Sequence, residues 1–200
     1  MRQVTGRSSS NSDNKASIRL ASGGRFFSAS TLGSVPKSGD IFVCIDTPRV
    51  TLLPVALTTN ISAEQALAIT GQAPQSDEIA IFSAPNEGVC AAMAVSKCCY
   101  DALSEQLGSR LKVITPLLST THSGEYCVVI ELVDSICYLR LYNSTLQLAE
   151  ALEIGGDDEL LFYLANILEV TSTPTTIPIY IIGSHSSAKV LKKYYKVVCE

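Results

Sequence analysis

Two hundred residues suffice for one generous hydrophobic core or two small ones. Hydrophobic residues make up 46% of the chain and charged residues 17%, which excludes disorder over most of its length and points to strands buried on both faces or to an apolar partner surface. The net charge of −4 argues against a protein whose main task is to neutralise a phosphate backbone, so nucleic acid is not an expected partner.

The polar start MRQVTGRSSSNSDNK has no apolar stretch of signal-peptide type and reads as a disordered tail over residues 1–14. No uncharged apolar run reaches the roughly 18 residues of a membrane span, so the expectation is a cytoplasmic protein with no membrane partner. Seven cysteines without a CxxC, with Cys44, Cys127 and Cys137 inside apolar runs, read as buried reduced thiols. Cys98 and Cys99 are neighbours on a predicted helix and diverge, and His122 and His185 complete no metal-ligand spacing.

In chain order, SIRLAS and RFFSAS flank Gly23-Gly24, a hairpin signal because both central turn residues need positive φ. After the linker from Leu32 to Gly39, DIFVCID predicts a third strand ending at Thr47-Pro48. VTLLPVAL follows with Pro54 inside it, which confines it to a sheet edge or an extended link. Ser62 with Gln65 predicts a capping box on a short helix that stops at Gly71. EIAIFSA and GVCAAMAVS predict paired strands around Pro85-Asn86-Glu87-Gly88; Ser96 caps the helix KCCYDALSEQL, and RLKVITP is one more strand.

From Glu125 three antiparallel strands are expected: EYCVVIELV, SICYLRLYN and TLQLAEALEI. The second alternates, with Ile136, Tyr138, Arg140 and Tyr142 on one side and Cys137, Leu139 and Leu141 on the other. Leu160, Leu161, Tyr163, Leu164, Ile167 and Leu168 recur at helical spacing behind an acidic first turn. IPIYIIG then reads as a buried parallel strand, and the Lys-rich segment Ala188 to Val198 as a C-terminal helix. The order β-β-β-α-β-α is the plan of a ribonuclease-H-like half-domain. The first half offers a degraded version of it, giving an α/β protein of two lobes, residues 15–118 and 119–200.

SIRLASGGRFFS, IDTPRVTLLP, the helix start from Gly156 to Tyr163 and IPIYIIG together resemble an uncharacterised bacterial family found in Bacteroides-type organisms. That family is built on the actin-like ATPase fold shared by sugar kinases, actin and the heat-shock chaperones, and the similarity spans about residues 16–198. The resemblance implies a fold and at most a history of nucleotide binding; it carries over no catalytic residues.

ATP chemistry on such a fold needs glycine turns whose amides meet phosphate and a carboxylate to hold magnesium. Candidates are Gly23 and Gly24 with the neighbouring cation Arg25, Asp46 at a strand end, Asp134 in the turn Val133-Asp134-Ser135, and Gly183 in Gly183-Ser184-His185. Each has a plain reading beside it. Gly23-Gly24 is a hairpin turn, Asp46 starts an ordinary Asp-Thr-Pro turn, Asp134 bonds its own backbone, and Gly183 serves a strand-to-helix turn. Gly155-Gly156-Asp157 opens a helix where an anion could sit, but three carboxylates repel one. Walker-type, GxSxG, GxGxxG and HExxH motifs are absent.

Two readings of function follow. The first is a non-catalytic protein interaction module that binds a protein partner or a second copy, with no cofactor. The alternative is a divergent nucleotide-binding or phosphotransferase protein using ATP and magnesium, its site assembled between the lobes from Gly23, Gly24, Asp46, Asp134 and Gly183. A ribonuclease-H-like nuclease is weaker still, because its carboxylates would have to gather around two metals.

Overall fold

A computed structural model describes residues 16–24, 36, 38–119, 125–183 and 185–199. The predicted tail over 1–14, the RFFSAS half of the predicted hairpin, Arg25, His122 and Ser184 lie outside them. The chain divides into two compact units, the first ending at Ser119.

The first unit runs β1 (Ala16–Leu20), β2 (Ile41–Ile45), β3 (Val50–Pro54), α1 (Ala63–Ile69), β4 (Glu78–Phe82), β5 (Val89–Ser96), α2 (Lys97–Leu107), β6 (Leu111–Ile114) and α3 (Pro116–Ser119). The described strands of this unit do not share one sheet. Instead β1, β2 and β6 make a parallel sheet in the order β1-β2-β6, and β3, β5 and β4 make a separate antiparallel one in the order β3-β5-β4. The described neighbour of β1 is therefore β2, in parallel register from Ala16↔Ile41 to Leu20↔Ile45. The chain between them is long enough for the crossover that parallel pairing needs.

Pro54 closes β3 at a sheet edge, where its missing N–H removes no ladder bond. Small residues make β5 thin enough to be covered on both faces: Cys90, Ala92 and Ala94 pack with Ala63, Ala66 and Leu67 of α1, and Ala91, Met93 and Val95 are buried on the other side. The α1 start has both halves of its capping box. Gln65 N–H donates to Ser62 Oγ at 3.1 Å and Ser62 N–H to Gln65 Oε1 at 2.8 Å.

The second unit runs β7 (Tyr126–Val133), β8 (Ile136–Asn143), β9 (Thr145–Glu153), α4 (Asp157–Val170), β10 (Ile179–Gly183), α5 (His185–Leu191) and β11 (Val197–Cys199) in one sheet of order β11-β10-β7-β8-β9. β8 runs antiparallel to the other four strands. The expected helix over the C-terminal lysines stops at Leu191. There the last turn tightens, with Lys193 N–H donating to Val190 C=O and Tyr194 N–H to Leu191 C=O, and the β-branched pair Val197-Val198 joins β10 as an edge strand.

Alternation along β8 sorts the unit's two faces. Cys137, Leu139 and Leu141 meet Leu160, Leu164, Ile167 and Leu168 of α4 and Ala188 and Leu191 of α5, where each fully buried large side chain contributes about 1.5–3 kcal/mol. The opposite face holds Cys127, Val129, Tyr138 and Tyr142 with the charged residues Glu131 and Arg140, all buried. Among the described residues no helix is long and apolar enough to cross a membrane.

At the end of β10, Gly183 pairs with Leu132 with a φ of 101°, and a Cβ there would lie 2.6 Å from the Leu132 carbonyl oxygen. We expect Gly183→Ala to destabilise the protein by about 2–4 kcal/mol in urea denaturation. Gly156→Ala, at an extended residue with open space around it, should change stability by less than about 1 kcal/mol.

Of Cys44, Cys90, Cys98, Cys99, Cys127 and Cys137, only Cys98 is exposed. Burial pushes the Cys137 thiol up to about 12, against a smaller lowering by Arg140, and pushes Cys99 up to about 11 with a further push from Cys98. A raised thiol pKa contributes stability that is whole below the ordinary value of 9.0 and is lost as pH rises towards the folded value. Thiol labelling of the native protein should therefore reach Cys98 and spare Cys44, Cys90, Cys99, Cys127 and Cys137. Stability should fall above pH 9, with a shallower slope in Cys137→Ala.

Candidate functional site

Three of the residues singled out from the sequence come together where β1 and β2 end. Asp46 follows β2 directly, and its N–H donates to Leu20 C=O at 2.8 Å, prolonging the parallel ladder by one bond. The chain after β1 then turns through Gly23 and Gly24, with φ of 65° and 84°. Gly23 N–H donates to Asp46 C=O at 2.6 Å and Gly24 N–H to Ala21 C=O at 3.0 Å. A Cβ on Gly24 would fall 2.5 Å from Cys99 Sγ, so the turn lies flat against the start of α2, where Ser96 Oγ accepts from Cys99 N–H. Glycine is thus required by backbone hand and close packing.

Asp46 is buried, and its carboxylate is held by Arg19 on β1. Arg19 Nε donates to Oδ1 at 3.1 Å and Oδ2 at 2.9 Å, and Nη2 donates to Oδ1 at 2.7 Å. The turn of Asp46-Thr47-Pro48 is made by the next residue, whose Oγ1 accepts from Arg49 N–H at 3.2 Å. A phosphate-bound magnesium ion would need this carboxylate freed from a charge-assisted pair and the Gly23 amide turned outwards.

Asp134 and Gly183 belong to the second unit. Gly183 pairs with Leu132, two residues before Asp134, so both lie at one end of the sheet. Asp134 is exposed at the tip of the β7–β8 turn with a φ of 52°, a conformation that aspartate tolerates. At the start of α4, Gly155 N–H donates to the Glu159 carboxylate at 2.6 Å. The helix thereby binds an anion of its own chain, as its acidic first turn suggests.

The charged pairs that sequence reasoning missed are the ones most deeply placed. Arg140 is 0% exposed, and its Nη2 donates to Glu131 Oε2 at 3.1 Å across β7 and β8. Arg49 Nη2 and Nε bond Glu78, and because Ala94 N–H donates to Arg49 C=O while Glu78 pairs with Ser96, this bridge straddles β5. A signal was available: VVIELV and ICYLRLY each carry one charge in an apolar strand, of opposite sign, on strands expected to pair. In the first unit, a cleft of about 390 Å³ is lined by Phe82, Ser83, Tyr100, Ser104, Lys112 and backbone around them; it includes none of the predicted residues.

No family model matches the chain, and no curated protein is similar to it in sequence. Among solved structures it is similar to a Bacteroides thetaiotaomicron VPI-5482 protein with an actin-like ATPase fold and unknown function, with a TM-score of 0.71 and 16% identity over 86% of this chain and 72% of that one. A fainter likeness, TM-score 0.48 at 12% identity, covers 90% of this chain and 93% of the cytoplasmic domain of EpsL, an inner membrane component of the type II secretion system of Vibrio cholerae. The chain has the actin-like ATPase fold.

Proposed function

We propose that this chain is a non-catalytic protein of the actin-like ATPase fold that serves as a protein interaction module. One observation carries the reading: the carboxylate best placed for metal chemistry is neutralised by Arg19, and the neighbouring glycine amide is donated to the chain's own carbonyl. A fold whose Gly23 and Gly24 amides are bonded to its own chain still offers surface for recognition. Large apolar side chains stand in solvent in both units, among them Ile69, Phe162 and Val170, which supports association with a protein.

Thermal denaturation in the presence of magnesium-ATP or magnesium-ADP tests this. A ligand present at 100 times its dissociation constant stabilises the folded state by about 2.7 kcal/mol, so real binding raises the melting temperature visibly. The expected result at millimolar nucleotide is no shift. A dose-dependent rise that disappears in Asp46→Asn or in Asp134→Asn would overturn the reading in favour of a divergent nucleotide-binding protein.

A further inference from the structure

Cations in the described residues fall into two groups. Arg19, Arg49, Lys97, Arg110, Lys112 and Arg140 all have partners: carboxylates for four of them, backbone carbonyls for Arg110 and Lys112. Lys189, Lys192, Lys193 and Lys196 are exposed and form no ion pair with a described residue. Between Glu169 and Glu200 the sequence has no carboxylate side chain, and the net charge of −4 becomes −8 when these four lysines are set aside. The positive end of the chain therefore has a field of its own against an acidic remainder. The dipole of α5 accounts for a cation in its last turn, Lys189, but not for Lys196, which sits at the start of β11.

Two further features share that spot. Tyr194 is 62% exposed and Val198 is 38% exposed. Moreover, β11 is the outer strand of its sheet among the described residues. Ile179 N–H donates to Lys196 C=O, and since successive residues of a parallel ladder face opposite ways, the N–H and C=O of Val197 point away from β10. An open strand edge beside clustered, uncompensated lysines has the chemistry to take an extended chain through its backbone and acidic side chains through the lysines.

We propose that this surface docks an acidic, extended protein segment that adds to the outer edge of β11. The proposal rests on the interaction-module reading and names the partner's chemistry. The choice of a protein segment over other anions follows from the open edge, because neither a lipid headgroup nor a free phosphate supplies a strand to it.

The test is fluorescence anisotropy of a labelled octapeptide, four glutamates followed by alternating valine and threonine, titrated with the full chain. Saturable binding is expected, weakened at least about tenfold in Lys192→Glu/Lys193→Glu and at least about fivefold in Val197→Pro, whose lost N–H is the outward one. The lysine variant should melt as the parent does because those side chains are exposed, whereas Val197→Pro, which also loses a side chain packed against the core, should melt a few degrees lower yet stay folded at the titration temperature, proline being tolerated on an edge. Absence of saturable binding, or equal binding by the lysine variant, overturns the proposal. So does lysine-dependent sedimentation with phosphatidylserine vesicles when the peptide is ignored, and so does salt-sensitive self-association that the lysine variant abolishes. If the peptide fails while nucleotide still leaves the melting temperature unchanged, this surface falls and the interaction reading stands; a nucleotide-driven rise removes the reading itself.

Discussion

Among the described residues, a buried carboxylate is a carboxylate with an arginine. Asp46, Glu78 and Glu131 lie within or beside strands whose surroundings are almost wholly apolar, and each is met by a guanidinium from a neighbouring strand or strand end: Arg19, Arg49 and Arg140. An ionised group in such a place would otherwise cost several kcal/mol, and planar bidentate geometry is what guanidinium offers over ammonium. Removing either member weakens the hold on the other charge, so the pairs favour particular strands as neighbours. Arg19 with Asp46 specifies β1 beside the end of β2, Arg49 with Glu78 specifies the two strands flanking β5, and Glu131 with Arg140 specifies the β7–β8 register.

The same constraint shapes what the actin-like fold does here. The Asp46 carboxylate is bonded by Arg19 and the Gly23 amide by the Asp46 carbonyl. The Gly155 amide at the start of α4 is likewise taken by Glu159. The described arginines tie backbone and buried carboxylates together, while the lysines after α5 are exposed to water. Buried pairs of this kind contribute geometry more than stability, and uncompensated surface charge contributes encounter and selectivity.

Much of the architecture was legible because its signals are local. Ser62 and Gln65 announce a capping box, Pro54 announces an edge, and the alternation in ICYLRLY assigns Cys137, Leu139 and Leu141 to the helix-covered face. What failed was non-local. Nothing in SIRLA announces a parallel partner some twenty residues away, and the helical look of Ala188 to Val198 gave way because β10 offered Val197 an edge to pair with. Glycines were legible as turn residues, but not the contacts that require them. Gly24 is required by Cys99 Sγ and Gly183 by the Leu132 carbonyl, contacts that no spacing rule contains.

The central claim is that Asp46 is structural, and a double-mutant cycle on Arg19 and Asp46 tests it most directly. Arg19→Met, Asp46→Asn and the double variant would be compared with the parent by chemical denaturation. The account predicts that each single change destabilises the protein by about 2–4 kcal/mol and that the double variant loses at least about 1 kcal/mol less than their sum. Asp46→Asn as stable as the parent, or more stable, would contradict it, because a carboxylate retained at a cost in stability is the mark of a functional group.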